Sequence, residues 1–428
     1  MNLPEAFLKR MRSLPDYEAF VKSYELPPAR GVRVNTLKMS AEEFAARCPF
    51  PLGGVVPWER NGFYTEESKL GRYLMHAQGL FYSQEPSAMC AVPLLDVKKG
   101  ERVLDLCAAP GGKGTQIAAK LGGEGLLVLN EKMPDRAKVL ARNAERLGIR
   151  NAVVLNEEPS RLESRFASCF DKILADAPCS GEGMFKKEEG AAEEWSEENV
   201  AMCAARQRLI LESAARMLRA GGTLVYSTCT FSEAEDEGQI AAFLRDHPEF
   251  SLEAEEKLYP HRVRGEGHYA AKLVKKDGEM GDFRRENGFA GKRETALYRA
   301  VERDFYHGEK ERLFLFGREM WSLPEGCFSL DGLKVLRAGI PLATLQKDRF
   351  EPHHGFAMAE PLSSFLRVVE ADEEEAQRYL RGESLSREGE NGWCAVSYGG
   401  FALGVGKSVN GTVKNHLPKG LRTVLKNS

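Results

Sequence analysis

No run of the roughly 20 apolar residues that a membrane-crossing helix needs occurs in this 428-residue sequence. That excludes a helical integral membrane protein. The opening stretch "MNLPEAFLKRMRSLPDYEAFV" alternates charged with apolar residues, so it lacks the continuous hydrophobic segment of an export signal. Nine cysteines occur, an odd number, and none stands in a Cys-x-x-Cys pair. A disulfide framework is therefore not expected, nor is a metal, and the reading is a reduced, cytoplasmic protein that needs no membrane. Charge of one sign is lacking too: 60 Lys and Arg against 63 Asp and Glu leave a net charge of -3. Any surface built for a polyanion must be local. There is no internal repeat, and the length allows two or three domains with a core that needs no staple.

What is present is an alternation. Between about 100 and 250, the apolar runs "RVLDL" (102–106), "GLLVLN" (125–130), "AVVL" (152–155), "KILADA" (172–177) and "TLVYST" (223–228) read as strands. Helix-length amphipathic segments fit between them at about 113–121, 133–147 and 199–220, and another is expected to start at Ser232. Strand and helix in turn predict an α/β fold with a doubly wound parallel sheet, whose ligands sit at the carboxyl ends of the strands. Residues 1–75 read as an N-terminal extension of helix and loop with a strand-like "GVRVNTL", and 76–285 as the α/β domain. The polar, Gly-rich stretch 275–294 reads as a linker. Residues 286–428, with "RLFLFG", "LKVLRAG", "WCAVSYGG" and "FALGVGK", read as a smaller α+β region.

"LDLCAAPGGKGTQIA" places a Gly-rich turn between the first of these strands and a helix, where backbone N–H groups can hold an anionic group at close range. The phosphate-binding loop pattern fails: Cys107 stands where its first glycine would be, and Gly114 follows Lys113. The dinucleotide pattern G-x-G-x-x-G fails as well, although Glu131 ends the next strand where a ribose diol would be read. A nucleoside without a pyrophosphate fits better, and S-adenosylmethionine is the common cofactor of that kind.

Two cysteines follow two of the strands, in "DAPCSGEGMF" (176–185) and "LVYSTCTFS" (224–232). With "LDLCAAPGGKGTQIA" in this order and spacing, they resemble the Sun-type family of RNA cytosine carbon-5 methyltransferases. "EGMFKKE" and the tail "GVGKSVNGTVKNHLPKGLR" resemble its ribosomal, RsmF-like branch. The resemblance implies a Rossmann-like methyltransferase core and an RNA-binding C-terminal region, PUA-like near 370–428. It implies that Cys107, Ala108, Ala109, Pro110, Gly111, Gly112 and Lys113 wrap the methionine part of S-adenosylmethionine, and that Glu131 holds the ribose. An acid at the end of the third strand would flank the adenine; Glu158 is the match by spacing, with Asn156 and Glu157 competing. Asp176 would face both cofactor and target base, where a carboxylate can accept from the cytosine N4 amine.

Covalent catalysis accounts for a thiol in such a site. Carbon 5 of cytosine takes a methyl group only after a thiolate adds to carbon 6, and the adduct must later be undone. The family implicates a second cysteine in that release. In DNA enzymes making the same product the nucleophile belongs to a Pro-Cys pair, here Cys179, and a Glu-Asn-Val motif supplies the acid. This chain has "ENV" at 198–200, but it opens a helix-length stretch, and the Thr-Cys of "STCT" is absent from the DNA enzymes. Cys229 is therefore taken as nucleophile and Cys179 as the releasing residue. Ser232 and Glu235 have capping-box spacing, so a helix N-terminus just after Cys229 is expected to favour its thiolate.

A zinc nucleobase deaminase would need His-x-Glu before Pro-Cys-x-x-Cys; "HPE" comes after "PCSGE", and no second cysteine follows. From Phe401 onward Lys407, Lys414, Lys419, Arg422 and Lys426 occur without an acid, a basic strip suited to phosphates, and Arg30 and Arg33 add a second candidate contact. The expected partner is RNA, ribosomal first and transfer RNA second, bound by a monomer.

Overall fold

The computed structural model describes residues 3–187 and 190–422. It divides into two compact units. One comprises Met1–Ser68, Tyr82–Leu140 and Leu155–Phe283, the other Lys69–Phe81, Ala141–Val154 and Arg284–Ser428.

In the first unit, Arg102–Asp105, Leu126–Asn130, Phe170–Asp176 and Leu218–Thr228 form a parallel array. These segments are rich in Val, Leu and Ile because parallel strands are covered on both faces, and Leu126–Asn130 is buried throughout. Two strands absent from the sequence reading, Phe250–Leu258 and His268–Lys275, extend the sheet antiparallel beyond Leu218–Thr228. Helices Gly112–Leu121, Pro134–Arg146 and Glu197–Met217 stand near the predicted places, the last capped by Ser196, whose side chain accepts from Asn199 N–H. The expected helix at Ser232 begins instead at Glu237, running to Asp246.

The first 68 residues pack within this unit. Helices Glu5–Met11 and Tyr17–Ser23 bring Phe7, Met11, Phe20 and Tyr24 against Phe185, Trp195, Val200 and Phe231. Burying one such aromatic ring contributes roughly 1.5–3 kcal/mol. Glu59–Tyr64 then pairs antiparallel with both Gly31–Val34 and Val55–Val56.

Among the described residues, two sheets lie wholly within the second unit. Leu313–Phe316, Glu319–Ser322, Ile340–Gln346 and Arg349–Pro352 are antiparallel neighbours, packed with helix Lys292–Phe305 around Phe305, Phe350 and Phe356. The other contains Val368–Glu370, Gly392–Tyr398, Phe401–Val409, Thr412–Asn415 and Leu385–Ser386. Helix Glu373–Leu380 buries Ala376, Tyr379 and Leu380 in its core. Among the described residues no helix is long and apolar enough to cross a membrane.

Candidate active site

Strands Phe170–Asp176 and Leu218–Thr228 pair in parallel with Asp176 opposite Ser227, so the residues after each leave the sheet side by side. That register joins two thiols that lie far apart in sequence. Cys179 Sγ is 3.2 Å from Cys229 Sγ and accepts from the Cys229 backbone N–H at 3.4 Å. The hydrogen bond with Cys229 first, and burial second, push the Cys179 thiol well above the ordinary cysteine range.

Two buried carboxylates brace these loops. Glu235 accepts from Ser180 N–H at 2.9 Å, from the Ser180 hydroxyl, and from Gln207 Nε2 at 2.9 Å. Glu182 accepts from Trp195 Nε1 and Phe231 N–H, each at 3.0 Å, and is ion-paired with Arg10. Gly183 N–H donates to the Cys229 carbonyl at 2.9 Å; a Cβ at Gly183 would lie 3.0 Å from that oxygen, which keeps this position glycine. The expected capping box is thereby overturned. Glu235 spends its side chain on the Ser180 loop, residues 233–236 form a turn, and no helix N-terminus stands directly behind Cys229.

Asp176 lies between these thiols and the Gly-rich loop. Lys113 Nζ is 2.8 Å from its Oδ2, and Ser227 Oγ donates to its Oδ1 at 2.8 Å. Burial pushes the Asp176 carboxyl up, but Lys113, His268 and the two hydrogen bonds outweigh it, and the net shift is down. For Lys113, burial pulls down and Asp176 more than restores it. The pair is an ion pair at neutral pH. His268, absent from the sequence reading, points Nε2 at Asp176 Oδ1 from 3.9 Å.

The Gly-rich loop turns on Gly111, whose φ of 113° is open to glycine and strained for other residues, and helix Gly112–Leu121 begins directly after it. Arg136 Nη2 donates to the Ala109 carbonyl at 2.7 Å. Asn130 ties the neighbouring turns together, donating to the Leu106 and Glu157 carbonyls. Glu131 is buried and accepts from Met133 N–H at 2.8 Å. Of the three candidates at the next strand end, Asn156 donates to the Glu131 and Lys132 carbonyls and Glu157 is buried, whereas Glu158 lines the cleft, paired with Lys132 at 2.9 Å. Glu158, Glu131, the loop, Asp176, both thiols and His268 line one cleft of about 1440 Å³. Glu198 of the "ENV" tripeptide is exposed at the start of helix Glu197–Met217.

Residues 92–274 match the family described as 16S rRNA methyltransferase RsmB/F. Residues 3–86 match the N-terminal domain of 16S rRNA methyltransferase RsmF, 297–359 the first C-terminal domain of the RsmF rRNA methyltransferase, and 366–423 the methyltransferase RsmF PUA domain. Ribosomal RNA small subunit methyltransferase F of Aeromonas salmonicida is 34% identical over 98% of this chain and 97% of its own length; that of Vibrio vulnificus is 35% identical over the same shares. The chain belongs to the RsmB/F family of 16S ribosomal RNA methyltransferases. Among solved structures, a methyltransferase homolog from Pyrococcus horikoshii covers 64% of this chain and 95% of its own at 28% identity and a TM-score of 0.57. NSun6 from Pyrococcus horikoshii, solved with SFG, covers 64% and 99% at 22% identity and a TM-score of 0.59, which shows the shared Rossmann-like fold.

RsmB/F enzymes depend on S-adenosylmethionine, and the residues here fit it. Asp105, at the end of the first core strand, is 1% exposed with Oδ1 lacking any hydrogen-bond partner. Burial, then the nearby Asp176, pushes its carboxyl well up. A cationic ligand above the loop would reverse that shift, and S-adenosylmethionine carries both an ammonium and a sulfonium. Cys107 stays a thiol, raised by burial and then by Asp105.

Arg33, expected on RNA, is 4% exposed and donates to Gln84 Oε1, Gly112 O and Thr115 Oγ1 at 2.5–2.6 Å. A guanidinium consumed in this way cannot reach a phosphate. It props the helix that follows the Gly-rich loop in this RsmB/F chain. Arg30 is half-buried, and in the second unit Lys414, Lys419 and Arg422 are exposed, while Lys407 stacks on Trp393 at 4.8 Å. Lys426 lies outside the described residues.

Proposed function

We propose that this chain methylates carbon 5 of a cytidine in small-subunit ribosomal RNA through a covalent bond between Cys229 and carbon 6 of the base. What carries the reading is the meeting of two thiols, 3.2 Å apart, beside the Asp176–Lys113 ion pair in one cleft. Protein and small-molecule methyl transfer need no such pair.

The hydrogen bond to Cys229 and burial hold the proton on Cys179, and in the 3.2 Å contact between the two sulfurs we assign Cys179 as the donor. This favours Cys229 as the attacking thiolate. Attack forms the S–C6 bond and moves the C5=C6 electron pair into the ring, leaving carbon 5 an enamine-like nucleophile. Asp176 accepts from N4–H of the cytosine, and Lys113 beside it offers a proton to N3 as electron density moves there. When bound along Cys107–Lys113, with its ribose at Glu131 and its adenine toward Glu158, S-adenosylmethionine supplies an electrophilic methyl group. With Cys229 bonded to carbon 6, the hydrogen bond that kept Cys179 protonated is gone. Cys179 gives its proton to solvent and takes the C5 proton, which restores the C5=C6 bond and expels Cys229 as thiolate, a step that a serine hydroxyl cannot perform.

Lys407, Lys414, Lys419 and Arg422 supply phosphate contacts in the region that matches a PUA domain. The small subunit as target rests on the name of the relatives that match 98% of the chain.

The roles of the thiols are tested by trapping. Cys179→Ser accumulates a covalent protein–RNA species, seen as a slow band on a denaturing gel, and Cys229→Ser and the double variant do not. The band appearing in Cys229→Ser instead would exchange the two roles.

A further inference from the structure

His268 is 2% exposed, yet neither ring nitrogen has a hydrogen-bond partner. Leaving such groups unpaired costs roughly 1–3 kcal/mol each, and a native structure retains them where they serve a site. The ring's position points to which one. Tyr269 pairs with Thr228 and Ala270 with Ser227 across the antiparallel strands, so the same register sets His268 opposite Cys229. Its Nε2 faces Asp176 Oδ1 at 3.9 Å, a separation too long for a hydrogen bond and too short for an intervening water, which would need about 4.5 Å or more. The other oxygen of that carboxylate is held by Lys113, and Ser227 already donates to Oδ1. A shift of about 1 Å would bring Nε2 into hydrogen-bond range and give Oδ1 its second donor.

We propose that His268 is a positioning residue for the methyl-transfer reaction: its neutral imidazole donates Nε2–H to Asp176 when the cytosine enters, and fixes the carboxylate that receives the base. Neutrality matters to this role. Burial, then the Lys113 charge, hold the ring's pKa down to about 3, so it supplies a single N–H without adding a second cation against Lys113. The other titratable groups that act on Asp176 are Asp105, Cys107 and Cys90, with Cys229 acting on its partner Lys113, and none of them is hydrogen-bonded to Oδ1.

The inference rests on the cytosine reading above, and its test separates the two. Adduct formation is followed in single turnover in a Cys179→Ser background, with a cytidine-containing small-subunit RNA fragment and S-adenosylmethionine. No adduct in that background or in Cys229→Ser would overturn the cytosine reading and this proposal with it; an adduct in Cys229→Ser alone exchanges the thiol roles, and the His268 comparison is then made in that background. Given an adduct, His268→Phe, which keeps the ring and removes the donor, slows its formation about tenfold, with RNA and cofactor affinities unchanged. His268→Gln, which restores an N–H at similar reach, recovers most of the rate. In an Asp176→Asn background His268→Phe adds no further loss, because it acts through that carboxylate. Equal losses in both backgrounds, or no loss in either, would overturn the proposal while leaving the cytosine reading intact. Should the variants fail to fold, histidine hydrogen–deuterium exchange on the unaltered full chain decides: the peptide containing His268 shows slow exchange with no inflection near pH 6.5, and an inflection there would refute a buried neutral donor.

Discussion

Arg10, on the first helix of the chain, is ion-paired with Glu182, a fully buried carboxylate in the loop that follows Cys179. Glu182 in turn holds Phe231 N–H, two residues past Cys229. The N-terminal helices therefore brace both thiol loops. Arg10→Ala leaves that buried carboxylate short of its cation and is expected to cost about 2 kcal/mol, the worth of a hydrogen bond to a charged group. Its methyl-transfer rate is expected to fall further than that of a core variant with a similar loss of stability away from the cleft, such as Ile240→Ala. Denaturant titration and single-turnover rates, compared across the two, check this.

Gly111 and Glu131 are expected to support cofactor binding in different ways. Gly111→Ala forces a side chain onto a φ of 113°, a strain of roughly 1–3 kcal/mol at the turn itself. Glu131→Ala leaves the turn intact and removes the proposed ribose acceptor. Both are expected to weaken S-adenosylmethionine binding in calorimetric titration, with only Gly111→Ala lowering the thermal midpoint. Unchanged affinity in both would place the cofactor elsewhere.

The basic strip of the second unit is best tested by point changes. Removing everything after Phe283 would also strip the partners of Lys69–Phe81, whose Leu74, Ala77 and Gln78 belong to the second unit's packing and hydrogen bonds. Lys414→Glu, Lys419→Glu and Arg422→Glu together are expected to weaken RNA binding and flatten its dependence on log salt by roughly 0.7–0.9 per lost phosphate contact. Binding measured from low to moderate salt reads that slope, and an unaltered slope would locate the phosphate contacts on other residues.

His76 offers a pH signature. Burial, then the Arg146 charge, hold its pKa down to about 4, whereas in the unfolded chain it is near 6.5. Between those values the unfolded chain binds a proton that the folded chain refuses, so the folded state loses stability as pH falls through that window, by up to about 1.4 kcal/mol per unit. The stability difference between wild type and His76→Gln should be constant above pH 6.5 and move against wild type below it. A difference that stays flat from pH 7 to 4.5 would show that the ring is protonated freely in the fold.

The sequence determined the strands and their chemistry wherever pattern and neighbours agree. "RVLDL", "GLLVLN" and "KILADA" are buried on both faces and read as parallel strands from composition alone, and the turn "APGGKG" needs its glycine at 111 whatever surrounds it. The family motifs likewise name Cys179, Cys229 and Asp176 from short stretches. Tertiary structure decided the partners. Glu235 stands three residues after a serine, as a capping box would have it, but Ser180 and Gln207 claim its carboxylate from other elements. Arg33 looks like a basic contact in "RGVRVN", and only the packing of its strand beside helix Gly112–Leu121 buries it. His268 carries no motif at all: a lone histidine at the head of a strand paired on both sides gains its meaning from the register that sets it across from Cys229 and beside Asp176. Local patterns specify dihedral preferences and apolar faces within a few residues, whereas a hydrogen bond between side chains far apart in the chain exists only once the sheet has chosen its strand order.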